Sequence, residues 1–200
     1  TERTAAACDD LLRGKESIEF CPAECRFRIG GLEIHAVPTC HDAADPVAVT
    51  IREPESGLLA GVATDLGRAT APVKAALAGC HFLILEANHD EIRLREAPYP
   101  WSLKQRIGGS RGHLSNHLAG ELAQELMHPE LGGILLAHLS QECNDPRLAK
   151  STVGGALRKT EFRGGIGVAG QARPSAPANV SELVARAVGK EAQLSLFGSG

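Results

Sequence analysis

An α/β fold, a mixed sheet covered on one face by helices, is what this sequence predicts, and three observations carry it. Short apolar runs suited to strands fill the first ninety residues, two of them joined by Gly30-Gly31 as in a hairpin. From Pro72 onward, stretches with helical start and stop signals alternate with further apolar runs. Several of the apolar runs end abruptly in a histidine or an acid, which puts polar groups along one rigid edge of the sheet.

Thr4–Arg13 reads as a short helix with Ala5, Ala6, Leu11 and Leu12 on a weakly apolar side. Ile18–Phe20, Cys25–Ile29 and Leu32–Val37 read as strands, and Pro46–Ile51 as another. A turn over Glu53–Gly57 leads into Leu58–Ala63. Pro72 opens a helix, since proline is tolerated in a first turn, and Gly79 closes it. His81–Glu86 is a compact buried strand with polar residues behind it. Trp101–Ile107 is a short helix carrying Lys104 and Arg106 on its polar side. After a glycine-rich turn, Ser115 and Asn116 offer caps for a helix from His117 to about Met127, with Leu118, Leu122, Ala123 and Leu126 on one face. Ile134–Ala137 is a strand, and a helix begins near Pro146, which Gly154-Gly155 interrupts or ends. Phe162–Ala169 reads as an edge strand, 173–179 as a linker and Val180–Val188 as a short helix.

The 200 residues, about 21 kDa, suffice for one domain or a large piece of one. A net charge of -3 argues against a generally basic nucleic-acid surface and leaves room for a local patch. No apolar run approaches ~18 residues and no signal-peptide pattern is present, so the expectation is a cytoplasmic protein with no membrane partner. The six cysteines are scattered; Cys21 and Cys25 lack the second pair or histidine that a zinc knuckle needs. The chain starts at Thr1 and its single methionine is Met127, which suggests a C-terminal part of something longer.

Three strand ends stand out as a shared site: His41 after Leu32–Val37, Asp65 after Leu58–Ala63 and His138 after Ile134–Ala137. Imidazole and carboxylate suit zinc, manganese or iron. Three ligands cannot fill two coordination spheres, so on these residues alone the site looks half built. His113, His89 and Glu86 are candidates for proton transfer or for supporting the ligands. His113 lies just ahead of a capped helix start, where amides and the helix dipole suit a phosphate.

The sequence resembles the C-terminal part of a metallo-β-lactamase-fold hydrolase, in the bacterial exonuclease-like phosphodiesterase subgroup. The words that carry this are P-T-C-H-D-A-A-D-P at Pro38–Pro46, A-T-D-L-G at Ala63–Gly67, L-E-A-N-H-D at Leu85–Asp90, Y-P-W-S-L-K-Q-R-I at Tyr99–Ile107, G-H-L-S-N at Gly112–Asn116 and L-L-A-H-L-S at Leu135–Ser140. The resemblance implies a four-layer αββα sandwich, of which residues 1–170 are a portion. It implies two divalent transition metal ions, zinc or manganese, with His41 on one, His138 on the other and Asp65 between them. Catalytic roles fall to His113, Asp65 and His89, and substrate contacts to Asn88, Arg111, Ser115 and Asn116. The family's H-x-H-x-D-H word is absent, so the remaining ligands are expected from a missing N-terminal half of the fold.

Residues 171–192 read as a linker and short helix, and 193–200 as a tail. Gln193, Leu194, Leu196 and Phe197 resemble the peptide by which bacterial DNA enzymes dock on the sliding clamp; packing back onto the domain is the competing account. The function implied is a metal-dependent phosphodiester hydrolase, a DNA exonuclease of repair or replication. Two alternatives stand beside it: a non-catalytic clamp-binding or split-subunit protein with a degenerate site, and a hydrolase of RNA or small phosphodiesters.

Overall fold

The computed structural model describes residues 1–11, 14 and 17–189. The proposed clamp peptide, Gln193 to Phe197, lies outside them. Seven strands form one sheet in sequence order: β1 (Cys25–Ile29), β2 (Leu32–Pro38), β3 (Val47–Arg52), β4 (Leu59–Ala63), β5 (Phe82–Glu86), β6 (Gly133–Ala137) and β7 (Gly165–Val168). Short connections make β1 to β4 an antiparallel meander. Strands β4 to β7 run parallel, because each is reached by a helical crossover.

Those crossovers are α2 (Ala71–Leu77), then α3 (Glu91–Glu96), α4 (Trp101–Ile107) and α5 (Asn116–Glu125), and finally α6 (Pro146–Leu157). Helix α1 (Glu2–Ala7) precedes the sheet and α7 (Val180–Ala187) follows it. One face of the parallel strands presents Leu83, Leu85, Ile134 and Leu136, all fully buried. They form one core with Val73 and Leu77 of α2, Ala119, Leu122 and Ala123 of α5, and Ala149, Val153 and Leu157 of α6. At Gly120 a side chain would come within 3.0 Å of the Ala156 methyl, so the glycine lets α5 and α6 approach closely. Near the start of β6, Gly132 and Gly133 lie against Leu183 of α7.

Two local expectations differ from the structure, and one helix has no counterpart among them. Ile18–Phe20 is irregular, with Ile18 and Phe20 exposed, because it pairs with no strand among the described residues. Helix α3, unannounced by any long apolar pattern, is started by Asp90, whose carboxylate accepts from the Ile92 and Arg93 amides. Helix α6 runs through Gly154-Gly155 to Leu157, since buried Val153 and Leu157 hold it on the core and outweigh the glycine penalty. Among the described residues, no helix is long and apolar enough to cross a membrane.

Candidate metal centre

The register of the parallel strands builds the site. Ala63 of β4 pairs with Leu85 of β5, and Glu86 pairs with Ala137 of β6. Asp65, Glu86 and His138 therefore stand at the carboxyl ends of three adjacent strands, where open α/β sheets hold their ligands. Asp65 (φ 56°) and His138 (φ 56°) both take left-handed backbone. That region is sparsely used by non-glycine residues, and such departures gather at functional sites.

Glu86 is the hub. Its side chain is fully buried, and its Oε1 accepts from His138 Nδ1 at 2.6 Å, His113 Nδ1 at 2.8 Å and the Asp65 amide at 3.4 Å. Its Oε2 accepts from the Leu114 amide at 3.0 Å and the Leu66 amide at 3.2 Å. Burial by itself raises the Glu86 carboxyl, but the hydrogen bonds from His113, His138 and Leu114 outweigh it and bring its pKa down to about 2. The same contact, working against burial, raises the pKa of His138.

These bonds also fix the imidazoles. A carboxylate only accepts, so Nδ1 of both His113 and His138 carries the shared hydrogen, and Nε2 of each ring takes no part in these bonds. His41 is held the same way: its Nδ1 donates to the Gly112 carbonyl at 2.8 Å, and its Nε2 lies 3.6 Å from Asp65 Oδ1. Asp65 Oδ1 is also 3.7 Å from His138 Nδ1 and 3.9 Å from His113 Nδ1. The three rings line up side by side, with centroids 4.8 Å apart for His41 and His113 and 5.1 Å apart for His113 and His138.

Loop geometry supports this grouping. The Gly67 amide donates to the Cys40 carbonyl and the Asp42 amide to the Arg111 carbonyl, which stitches the His41 loop to both neighbours. A side chain at Gly67 would strike the backbone of Gly109, Ser110 and Arg111. Only glycine lets that loop lie over the end of β4.

Asp65, Glu86, His113 and His138 each offer one ligand atom, and the four atoms lie within 4.8 Å of one another. Nitrogen and oxygen donors of this kind fit a borderline divalent ion such as zinc or manganese. The expectation that the site depends on ligands from a missing N-terminal half is thereby overturned. So is the pair of zinc or manganese ions resting on such ligands, and so is the identification of the chain as a part whose ligand set lies upstream. A complete cluster is assembled from this chain's own residues.

The other sequence-derived residues are placed as follows. His89 is 3% exposed, its pKa lowered by burial, and its Nδ1 has no hydrogen-bond partner among the described residues. Asn88 donates its amide to the His138 carbonyl at 2.9 Å. Ser115 caps α5 through the Leu118 amide and donates to Glu91. Asn116 is buried in a reciprocal amide pair with Asn144, 2.9 Å in each direction. Arg111 is exposed, with its backbone on the His41 loop. Asn144 itself, which also binds the Ala87 and Asn88 carbonyls, was invisible to motif reasoning; only its place just before a proline-led helix start hints at it.

The sheet, its helices and the strand-end cluster define a chain of the metallo-β-lactamase fold. Among solved structures, the metallo-β-lactamase-fold protein YhfI from Bacillus subtilis superposes with a TM-score of 0.59 at 18% identity, covering 84% of this chain and 59% of that one. A diphosphatase from the PhnP family gives 0.53 at 15% identity, covering 89% and 56%. In sequence, the chain is 33% identical over 140 residues to Exodeoxyribonuclease YycJ of Bacillus anthracis, covering 70% of this chain and 52% of that protein. It is 31% identical over 139 residues to Exodeoxyribonuclease WalJ of Streptococcus pneumoniae, covering 70% and 50%. The chain thus spans about half the length of the curated relatives it matches. No family model matches the sequence.

Proposed function

We propose that this chain carries the catalytic centre of a metal-dependent phosphodiesterase whose substrate is DNA. The observation that carries the reading is the buried Glu86 carboxylate, which holds two imidazoles by Nδ1, each Nδ1 also within 3.9 Å of Asp65 Oδ1, and makes no bond to their Nε2 atoms. Carboxylate–histidine pairs of this kind orient metal ligands and proton-transfer groups alike. Of the four clustered residues, Asp65 and His138 would bind the ion directly with His41 beside them, while Glu86, its oxygens already taken by five donors, and His113 would orient the rings and move the proton. A bound divalent ion supplies Lewis acidity toward a phosphoryl oxygen. His113, gripped at Nδ1, would take up a proton at Nε2 from the attacking water and pass it to the leaving oxygen. Two sequence relatives named exodeoxyribonucleases support DNA as the polymer.

The test combines metal analysis with turnover. Protein loaded with zinc or manganese and dialysed is expected to retain metal, to hydrolyse bis(p-nitrophenyl) phosphate, and to cut oligodeoxynucleotides faster than oligoribonucleotides. Asp65→Asn is expected to lose metal and activity together, whereas His113→Ala keeps metal and loses roughly 10²-fold or more in turnover. Equal metal content in wild type and D65N, or no phosphodiester cleavage by the loaded protein, overturns the proposal. Preferential cleavage of RNA overturns its DNA part.

A further inference from the structure

We infer that the open cavity between α3, α4 and the start of α5 is a nucleobase pocket, receiving a base from the strand whose phosphate lies at the metal centre. This deepens the phosphodiesterase reading and rests on it for the phosphate's position. The cavity has a volume of about 560 Å³, inside the usual range of small-ligand sites. It is continuous with the cluster, because His113 lines both this cavity and a second one of about 500 Å³ shared with His138, Asn88 and Ser140. A strand crossing His113 therefore has room on both sides of the reacting centre.

The lining suits a flat, edge-polar ring. Trp101, 68% exposed, lines the cavity and is the only tryptophan in a chain with 4% aromatic residues. The α4 helix that carries it leaves its indole in water instead of burying it, as a stacking surface requires. Leu118 contributes apolar surface to the same cavity and Leu94 is buried behind it. At the inner end is His89, nearly buried, with a ring nitrogen that pairs with nothing among the described residues. Burial lowers the pKa of this imidazole; its Nδ1 is closed off from solvent, and its Nε2 lies beside Gly108, another residue of the lining, where a base edge can meet it. Arg95 and Lys104 bring positive charge to the lining and Glu91 a negative one, with Glu91 occupied by Ser115. The cations fit the phosphates flanking an inserted base.

Because Trp101 is unique, its fluorescence reports on this pocket alone. The protein, with metal chelated so that nothing is cut, is titrated with a twelve-residue oligothymidylate and with an abasic deoxyribose-phosphate oligomer of equal length. Oligothymidylate is expected to quench Trp101 saturably and to bind at least about tenfold more tightly than the abasic strand. Trp101→Ala, a change at an exposed position, is expected to bring binding of a fluorescein-labelled oligothymidylate down to the abasic level, with Trp101→Phe retaining most of the difference. Equal binding of both strands, quenching by the abasic strand alone, or wild-type affinity in W101A overturns the pocket. Base-dependent quenching in a protein that cannot cleave bis(p-nitrophenyl) phosphate when metal-loaded sinks the phosphodiesterase reading and leaves the pocket standing. Cleavage without quenching does the reverse.

Discussion

Replacing Glu86 by glutamine keeps the shape of the hub and removes what makes it work. The carboxylate accepts five hydrogen bonds, three on Oε1 and two on Oε2. A glutamine amide nitrogen on the first side would face two imidazole N–H groups; on the second it would face the Leu66 and Leu114 amides. Either way at least two donors lose an acceptor that is itself fully buried, at about 1–3 kcal/mol each, the lower end applying to the part-exposed His113 and His138. The expected loss is about 3–5 kcal/mol, as for breaking a buried charged network. For a domain of this size that lowers the melting temperature by roughly 6–20 °C. The folded carboxyl, at about 2 against an ordinary 4.5, contributes stability that is fully present above pH 4.5 and is lost as pH falls toward 2. The difference between wild type and E86Q should shrink across that window. Calorimetry on metal-free protein at pH 7 and at steps down to pH 3 measures both effects. E86Q melting within about 2 °C of wild type at pH 7, or a difference that does not change with pH, would refute the hub.

Asn144→Ala removes the side chain that ties Asn116 to the Ala87 and Asn88 carbonyls, so a loss of about 2–4 kcal/mol is expected in urea denaturation at unchanged m-value. Gly67→Ala pushes a methyl into the backbone of the 109–111 loop; about 1–3 kcal/mol of destabilisation is expected, together with weaker metal retention in equilibrium dialysis. Leu85→Ala opens the fully buried centre of β5 and should cost about 2–5 kcal/mol by the same urea measurement.

The fold was legible where a single local signal sufficed. Gly30-Gly31 announces the β1–β2 turn, and β4, β5 and β6 are apolar runs that stop at polar residues. His41, Asp65 and His138 stood out for the same reason, a polar residue ending an apolar run; Asp65 and His138 fall in the cluster, and His41 Nε2 lies 3.6 Å from Asp65 Oδ1. Glu86 was harder. It is also a strand-end acid, but its standing comes from five donors that arrive from residues 65, 66, 113, 114 and 138, and sequence spacing does not encode that convergence. The reach of the cluster was misjudged for a related reason, since counting polar groups at the ends of apolar runs omits the donor supplied by His113 after the turn that follows Ile107. Helices α3 and α6 show the limits of composition, one being set by a capping aspartate and the other carried across two glycines by its buried side.

The left-handed backbone at Asp65 and His138 dictates which replacements can separate chemistry from folding at those positions. Asparagine tolerates that conformation and matches aspartate in size, so Asp65→Asn changes charge with little change in the chain's path. A valine or isoleucine would force the backbone out of its turn, and any lost activity would then mix two causes. At His138, asparagine or glycine keeps the path, while a β-branched substitute reports on strain as much as on the imidazole. A saturation library at either position should therefore sort its folded members by backbone tolerance before it sorts them by function.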